Sequence, residues 1–305
     1  MEPQHKQPDP RALTLLYASM PAIFVFFWST GFIGGKLGLQ SAAPFTFLLY
    51  RFLIVIAFLV PIAIIWRAPW PARRALLPIA VGGVLVHAGY LGAVFAGLSF
   101  GVEAGVGALM AGLQPVLTAV LAAPFLGERV SGRQWAGLAL GFLGVILVVW
   151  EKLGLGLGTP LGMFFSFMSV VFMTAGTLWQ KKFGGAMDLR TGSIVQFAAS
   201  ALVVLPLAWL EGFRVDWTPS FIFALGWLCL VLSVGTITVL FVLIRRGAAA
   251  EVASLFFLVP PTTAVLAWLI FGETLAAISV VGMALVVIAV AMVTWKPRAR
   301  SSGAA

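Results

Sequence analysis

Residues 114–128 read QPVLTAVLAAPFLGE, and 145 positions further on residues 259–273 read VPPTTAVLAWLIFGE. Pro115 falls on Pro260 and Gly127-Glu128 on Gly272-Glu273. The same shift, without a gap, carries Gly137 onto Gly282 and Trp150 onto Trp295. Toward the N-terminus Phe27 meets Phe172, Gly31 meets Gly176, Lys36 meets Lys181, Phe52 meets Phe197 and Pro61 meets Pro206. One unit is therefore used twice. Because that unit is almost wholly apolar, both copies belong in a membrane.

Composition agrees: 61% of the 305 residues are hydrophobic and 10% charged, with a mean hydropathy of +1.08, where a soluble domain carries about 25% charged residues. Apolar runs of about 20 residues, each able to cross some 30 Å of hydrocarbon, fall at 14–37, 44–66, 76–99, 104–126, 133–150, 160–180, 191–210, 219–243, 251–271 and 275–295. The fold class expected is an all-α integral membrane protein of ten transmembrane helices. Residues 1–13 form a cytoplasmic tail, 14–150 a first five-helix repeat, 151–159 a Gly-rich connector, 160–295 a second repeat and 296–305 a second tail. Five spans per copy is an odd number, so the second copy enters from the opposite side. Inverted repeats of this kind characterise secondary transporters.

Charge gives the orientation. With a cytoplasmic N-terminus, Lys152 and Arg214 lie in outside loops, Lys36 and Arg51 lie at or within spans, and the other fifteen of the 19 Lys and Arg lie inside. The positive-inside rule then places both termini in the cytoplasm, as expected of a bacterial inner (plasma) membrane protein. The net charge of +9 builds no basic patch with interleaved aromatics, so no nucleic-acid partner is expected. The partners expected are the lipid bilayer and a small-molecule substrate; oligomeric state is left open. The single cysteine, Cys229, excludes an internal disulfide or a multi-cysteine metal site, and no cofactor or metal is expected.

Helices interrupted at equivalent positions of two repeats point to a midplane site, which singles out Pro115 in the fourth span and Pro260-Pro261 in the ninth; packing kinks are the alternative. Polar groups at membrane depth face a cavity or a partner. His87 and Tyr90 share a face of the third span, and Gln114 adjoins Pro115. Ser169, Met173 and Thr177 belong to a stripe on the sixth that also reads as helix-helix glue. Trp28 lies deep enough to reach the pathway. Arg51 sits about two turns into the second span and needs a partner. Glu103, snorkelling to the surface and a substrate carboxylate are the alternatives, the last making Arg51 an external anion contact.

All ten acidic residues lie in tails, loops or span ends. Proton- and sodium-driven carriers commonly bury a carboxylate, so facilitated diffusion or exchange is expected over tight proton coupling. A membrane enzyme would need convergent acids, a nucleophile with its base, or metal ligands, and with two histidines, one of them in the tail, none is expected.

The chain resembles the EamA-type family of the drug/metabolite transporter superfamily. The residues that carry the likeness are Trp28-Ser29-Thr30-Gly31-Phe32, Pro44 with Arg51-Phe52, Pro115 and Phe125-Leu126-Gly127-Glu128 with Gly137, then Pro260, Phe271-Gly272-Glu273 and Gly282. The second copy departs from the pattern with Gln196 in place of Arg51. The resemblance implies a ten-helix inner-membrane permease, often an exporter of amino acids, other metabolites or drugs. The function expected is alternating-access export of small metabolites such as amino acids. Efflux of drugs or cationic compounds is the alternative, with a channel or a membrane enzyme behind it.

Overall fold

The computed structural model of the chain describes residues 10–102, 107, 110–153, 158–184, 187–271 and 276–294. Glu103, the connector glycines Gly154 and Gly156, the Gly272-Glu273 pair, most of both tails and Trp295 lie outside the described residues. The helices are α1 (Pro10–Gly38), α2 (Pro44–Ile65), α3 (Arg73–Ser99), α4 (Gln114–Leu126), α5 (Gly132–Leu153), α6 (Pro160–Phe183), α7 (Leu189–Leu210), α8 (Pro219–Arg246), α9 and α10 (Ala277–Thr294). In α9, Ala249–Ser254 leads through a 3-10 turn, Leu255–Leu258, into Val259–Phe271. Among the described residues, eight helices are long and apolar enough to cross a membrane, and Gln114–Leu126 and Gly132–Val148 are shorter apolar helices.

The helix starts are written in the sequence. Pro44, Pro160 and Pro219 occupy first-turn positions, where the missing N–H costs nothing. Thr159 and Thr218 cap α6 and α8 by accepting from Gly162 N (3.1 Å) and Phe221 N (3.2 Å). α4 stops at Gly127, whose φ of 72° is in the left-handed region that suits glycine. The carboxylate of Glu211, just beyond α7, accepts from Phe45 N (3.1 Å) and Thr46 N (2.6 Å), so one repeat closes the N-terminus of the other's second helix.

Asp188 caps α7, accepting from Arg190 N at 2.9 Å, and pairs with the Arg190 guanidinium at 2.7 Å. The hydrogen bonds from Arg190 hold its carboxyl below the usual carboxylate range. A lowered folded pKa contributes stability above the unfolded value of about 4, and that stability is lost as pH falls through the lowered pKa. Asp188→Ala is expected to cost about 1 kcal/mol at neutral pH, with the gap to wild type closing in unfolding curves recorded at progressively lower pH.

The two repeats meet antiparallel. Ser279 Oγ donates to Val148 O (3.1 Å) and Gln134 Nε2 to Val293 O (3.4 Å), and the 145-residue shift turns one pair into the other. A Cβ on Gly137 would meet Ala289 O at 3.0 Å and one on Gly282 would meet Gly144 O at 2.6 Å, again equivalent contacts. As numbers rise along α5 they fall along α10, so these equivalent helices run in opposite directions about a pseudo-two-fold axis. The axis also passes between Phe52 of α2 and Phe197 of α7, equivalent residues whose ring centroids are 5.7 Å apart.

Both repeats break regular α-helix at equivalent places. In α3, Val84–Leu91 is π-helical, and in α8, Leu228–Thr236 is; the shift superposes the two stretches to within one residue. π-helical turns are rare and gather at functional sites. The proline breaks also match. The chain turns at Gly112-Leu113 before Pro115 begins α4, and the 3-10 turn Leu255–Leu258 precedes Pro260-Pro261. Each proline starts the second half of a broken helix, where it forfeits no hydrogen bond.

Candidate functional site

Arg51 lies in α2 and is 2% exposed. A guanidinium at that depth demands hydrogen bonds, and one comes from the π-helical stretch of α8, where Ser233 Oγ accepts from Arg51 Nε at 2.8 Å. The Cys229 thiol, one turn earlier, donates to Arg51 O at 3.6 Å. Arg51 is thus held by the irregular part of the opposite repeat. It does not snorkel to the surface, and Glu103 lies outside the described residues.

The guanidinium borders a narrow cavity of about 40 Å³ whose other walls are Trp28, Gly31 and Phe32 of α1, Val86, Tyr90, Leu91, Val94, Phe95 and Leu98 of α3, and Leu232 and Ile237 of α8. Trp28 stacks on Tyr90, with centroids 5.9 Å apart and planes at 25°. Gly31 permits the approach of α8, since a Cβ there would fall 2.5 Å from Leu232 Cδ2. A second small cavity, which shares Phe32, Tyr90, Val94 and Leu98, adds Ser166 and Ser169 of α6. Leu98 and Val102 in turn border a vestibule of about 770 Å³ that also has Lys36, Ser41, Glu211, Arg214 and Asp216 on its walls. The three spaces form a sequence from a polar mouth to a buried, mostly aromatic end with Arg51 in its wall.

At the other end of the molecule a smaller vestibule, about 280 Å³, is lined by Pro69, Trp70, Pro71, Phe183, Met187 and Asp188 among others. Pro69, Trp70 and Pro71 are the equivalents of Arg214, Val215 and Asp216, so the two vestibules are repeat partners of unequal size. This end is tied by cations on backbone carbonyls. Lys181 Nζ donates to Gly247 O, and Arg245 Nη2 donates to Gly184 O (3.0 Å) and Met187 O (2.6 Å). Lys182 Nζ donates to Phe125 O (3.1 Å) while lying 4.5 Å from that residue's ring centroid. Glu128 accepts from Ala249 N at 2.8 Å.

Of the residues singled out in the sequence, Trp28, Tyr90, Ser169 and Arg51 line these two inner cavities. His87 does not. It is fully buried near the axis, with its ring 4.1 Å from Phe197 and 6.2 Å from Phe52. Neither ring nitrogen has a hydrogen-bond partner of normal geometry among the described residues, although Gln196 lies alongside. Gln114, Pro115, Pro260, Pro261, Met173 and Thr177 are all buried and line neither of the two inner cavities nor either vestibule. Met173 and Thr177 are the equivalents of Trp28 and Phe32, on the side where the helices are closed. Gly101, just beyond α3, has a φ of 83° and open space where its Cβ would be. Ser233 and Leu98 escaped the sequence reading, because a serine and a leucine in an apolar span carry no signal of their own.

The EamA-like transporter model matches residues 15–150 and again 160–295. The chain belongs to the EamA-like transporter family. It is a multi-pass membrane protein, and the duplication read from the 145-residue shift is a duplication of the family's domain. Among relatives of this EamA-like chain is the uncharacterized transporter YvbV of Bacillus subtilis, 28% identical over 298 residues and 94% of each chain. The uncharacterized inner membrane transporter YedA of Escherichia coli is 25% identical over 286 residues, 93% of this chain and 92% of that one. A probable amino-acid metabolite efflux pump of Escherichia coli is 26% identical over 274 residues, 87% and 90% of the two chains. A solved crystal structure shares the fold with a TM-score of 0.75 at 20% identity, over 91% of this chain and 96% of that one.

Proposed function

We propose that this membrane transporter is a ten-span carrier with two inverted repeats and cytoplasmic termini, which exports small metabolites by alternating access. The observation that carries the reading is the pair of repeat-equivalent vestibules, about 770 and 280 Å³, with Leu98 shared between the walls of the larger one and of the inner cavities. An inverted duplication makes two facing states nearly equivalent, and one sequence then needs only to exchange which vestibule is wide. The positive-inside rule puts the wide vestibule, with Lys36 and Arg214, outside. The latched end, with Lys181, Lys182 and Arg245, faces the cytoplasm.

Buried polar groups support a second state. Gln114 and Thr118 of α4 and Thr174 and Thr177 of α6 make no side-chain hydrogen bond among the described residues. Such groups cost about 1–3 kcal/mol each when dry, a cost relieved when the α4–α6 side opens to water. Amino acids are the first substrates to test, on the strength of the relative named as a probable amino-acid metabolite efflux pump. The cationic-drug alternative fits less well with a cavity whose charged wall residue is Arg51.

Counterflow in proteoliposomes of purified chain tests the reading. Labelled amino acid should enter against its gradient when unlabelled substrate is loaded inside, with saturable kinetics; non-saturable flux would indicate a channel and defeat it. Because no acidic residue lies at mid-span in the sequence, exchange is expected to proceed at an unchanged rate, within about twofold, when a proton ionophore collapses the pH gradient. Uphill uptake driven solely by an imposed pH gradient would contradict this.

A further inference from the structure

We propose that Arg51 is a binding group for a substrate carboxylate, so that the central site selects small organic acids with an apolar body. The inference rests on the transporter reading for its physiological meaning, while the binding it asserts is measurable without transport.

The chemistry of the cavity wall carries it. Arg51 is 2% exposed and borders the cavity, yet the hydrogen bond its guanidinium makes among the described residues is the one from Nε to Ser233 Oγ. That bond orients the fork and leaves both terminal NH2 groups for another acceptor. A guanidinium offers a planar pair of donors matched to the two oxygens of a carboxylate, and among the described residues no carboxylate stands on the wall of this cavity or of the one adjoining it. The acids that lie along the route, Glu211 and Asp216, are in the outer vestibule beyond Leu98, and Glu211 already serves as the cap of α2. The same cavity is walled by Trp28, Phe32, Tyr90 and Val94, surfaces for the apolar part of a ligand. A negative headgroup beside Arg51 with a ring or alkyl chain along α1 and α3 therefore suits these walls, whereas an ammonium group beside Arg51 would meet a like charge. At about 40 Å³ the space admits such a ligand only when Leu98 and Leu232, which border it, swing aside.

The duplication supplies an internal control. The residue equivalent to Arg51 is Gln196, whose Nε2 is engaged with Gln180 Oε1 at 3.1 Å; a neutral amide therefore fits the same place in the fold. Arg51→Gln installs that amide in the first repeat. Arg51→Lys keeps the charge without the fork.

Three probes share one body and differ only in charge: 3-phenylpropionate, phenylalanine and phenethylamine. In detergent-solubilised full chain, quenching of tryptophan fluorescence, to which Trp28 in the wall contributes, should report binding of the first two and little of the third. Arg51→Gln should weaken 3-phenylpropionate about 30-fold or more, Arg51→Lys should lie between, and Ser233→Ala, which removes the orienting bond, should weaken it less than Arg51→Gln does. Circular dichroism and size exclusion confirm that each variant is folded; if Arg51→Gln is not, the Lys and Ser233 variants give the ranking. Tighter binding of phenethylamine than of 3-phenylpropionate, or acid binding indifferent to every one of these variants, overturns the inference. Should counterflow succeed with substrates indifferent to Arg51, transport stands and the carboxylate site falls; should acid binding follow Arg51 in a chain that moves nothing, the reverse holds.

Discussion

Gly282→Ala is expected to lower the unfolding midpoint of the detergent-solubilised protein by about 5 °C or more, equivalent to about 3 kcal/mol. A Cβ at that position would lie 2.6 Å from Gly144 O and 2.8 Å from Val148 N, and one at Gly144 would lie 2.8 Å from Gly282 O. Both neighbours are backbone atoms of a facing helix, so no rotamer change makes room. α5 and α10 must separate, and the separation also stretches the reciprocal bonds Ser279–Val148 and Gln134–Val293. Against this, alanine improves on glycine in a helix by at most about 1 kcal/mol; the clash wins. Gly226, within α8, provides the contrast, since a Cβ there meets nothing within 4 Å. Gly226→Ala is expected to leave the midpoint unchanged or raise it. Thermal unfolding followed by size exclusion measures both, and an unshifted midpoint for Gly282→Ala would remove close glycine packing as the origin of the repeat interface.

The sequence carried the duplication because the constraints behind it are local. Pro115 and Pro260 start half-helices, Gly127 ends one in a left-handed turn, and Gly137 and Gly282 admit a facing helix; each residue type is demanded by backbone geometry that both copies share. Arg51 was identifiable because a charge stands out in an apolar span. Its holder, Ser233, was not, since a hydroxyl among apolar residues in α8 has many possible partners and only the fold brings α2 and α8 together. The π-helical stretches left no trace either. Val84–Leu91 and Leu228–Thr236 share neither a proline nor a common polar pattern, and the extra residue in the turn is imposed by packing. His87 was not placed by the sequence for a related reason. Its chemistry suggested a site, whereas the fold stacks its ring on Phe197 and keeps it out of the cavity. The asymmetry between the copies mattered more than either copy. Where they differ, at Arg51 and Gln196 or at His87 and Leu232, one half holds a cavity and the other is packed shut.

That asymmetry leads to the latch at the Lys181 end. Replacing Lys181 and Arg245 together by alanine is expected to raise access to the closed half from the latched side by about tenfold or more. The two side chains donate three hydrogen bonds to the carbonyls of Gly247, Gly184 and Met187. Bonds from charged donors contribute about 1.5–3 kcal/mol each when buried; these are part-exposed, so about 1 kcal/mol each is the safer figure. Losing all three then moves the facing equilibrium by well over one factor of ten, at about 1.4 kcal/mol per tenfold. The opposite end cannot match them. Leu37 stands where Lys182 does and Phe100 where Arg245 does, while Lys36, the equivalent of Lys181, is exposed on the wall of the wide vestibule. Among the described residues, cations tie backbone carbonyls at this end and at the other the tie is the Glu211 carboxylate on Phe45 N and Thr46 N, and the state observed is closed on the side held by the cations. A single cysteine at Thr177, introduced with Cys229→Ser, should react with a membrane-impermeant maleimide slowly from the Lys181 side in the latched protein and much faster once the two cations are gone. The same thiol should stay unreactive from the Lys36 side, because Thr177 belongs to the half that opens the other way. Equal labelling rates with and without Lys181 and Arg245 would mean that packing of α4, α6 and α9, and not the charged ties, keeps this end shut.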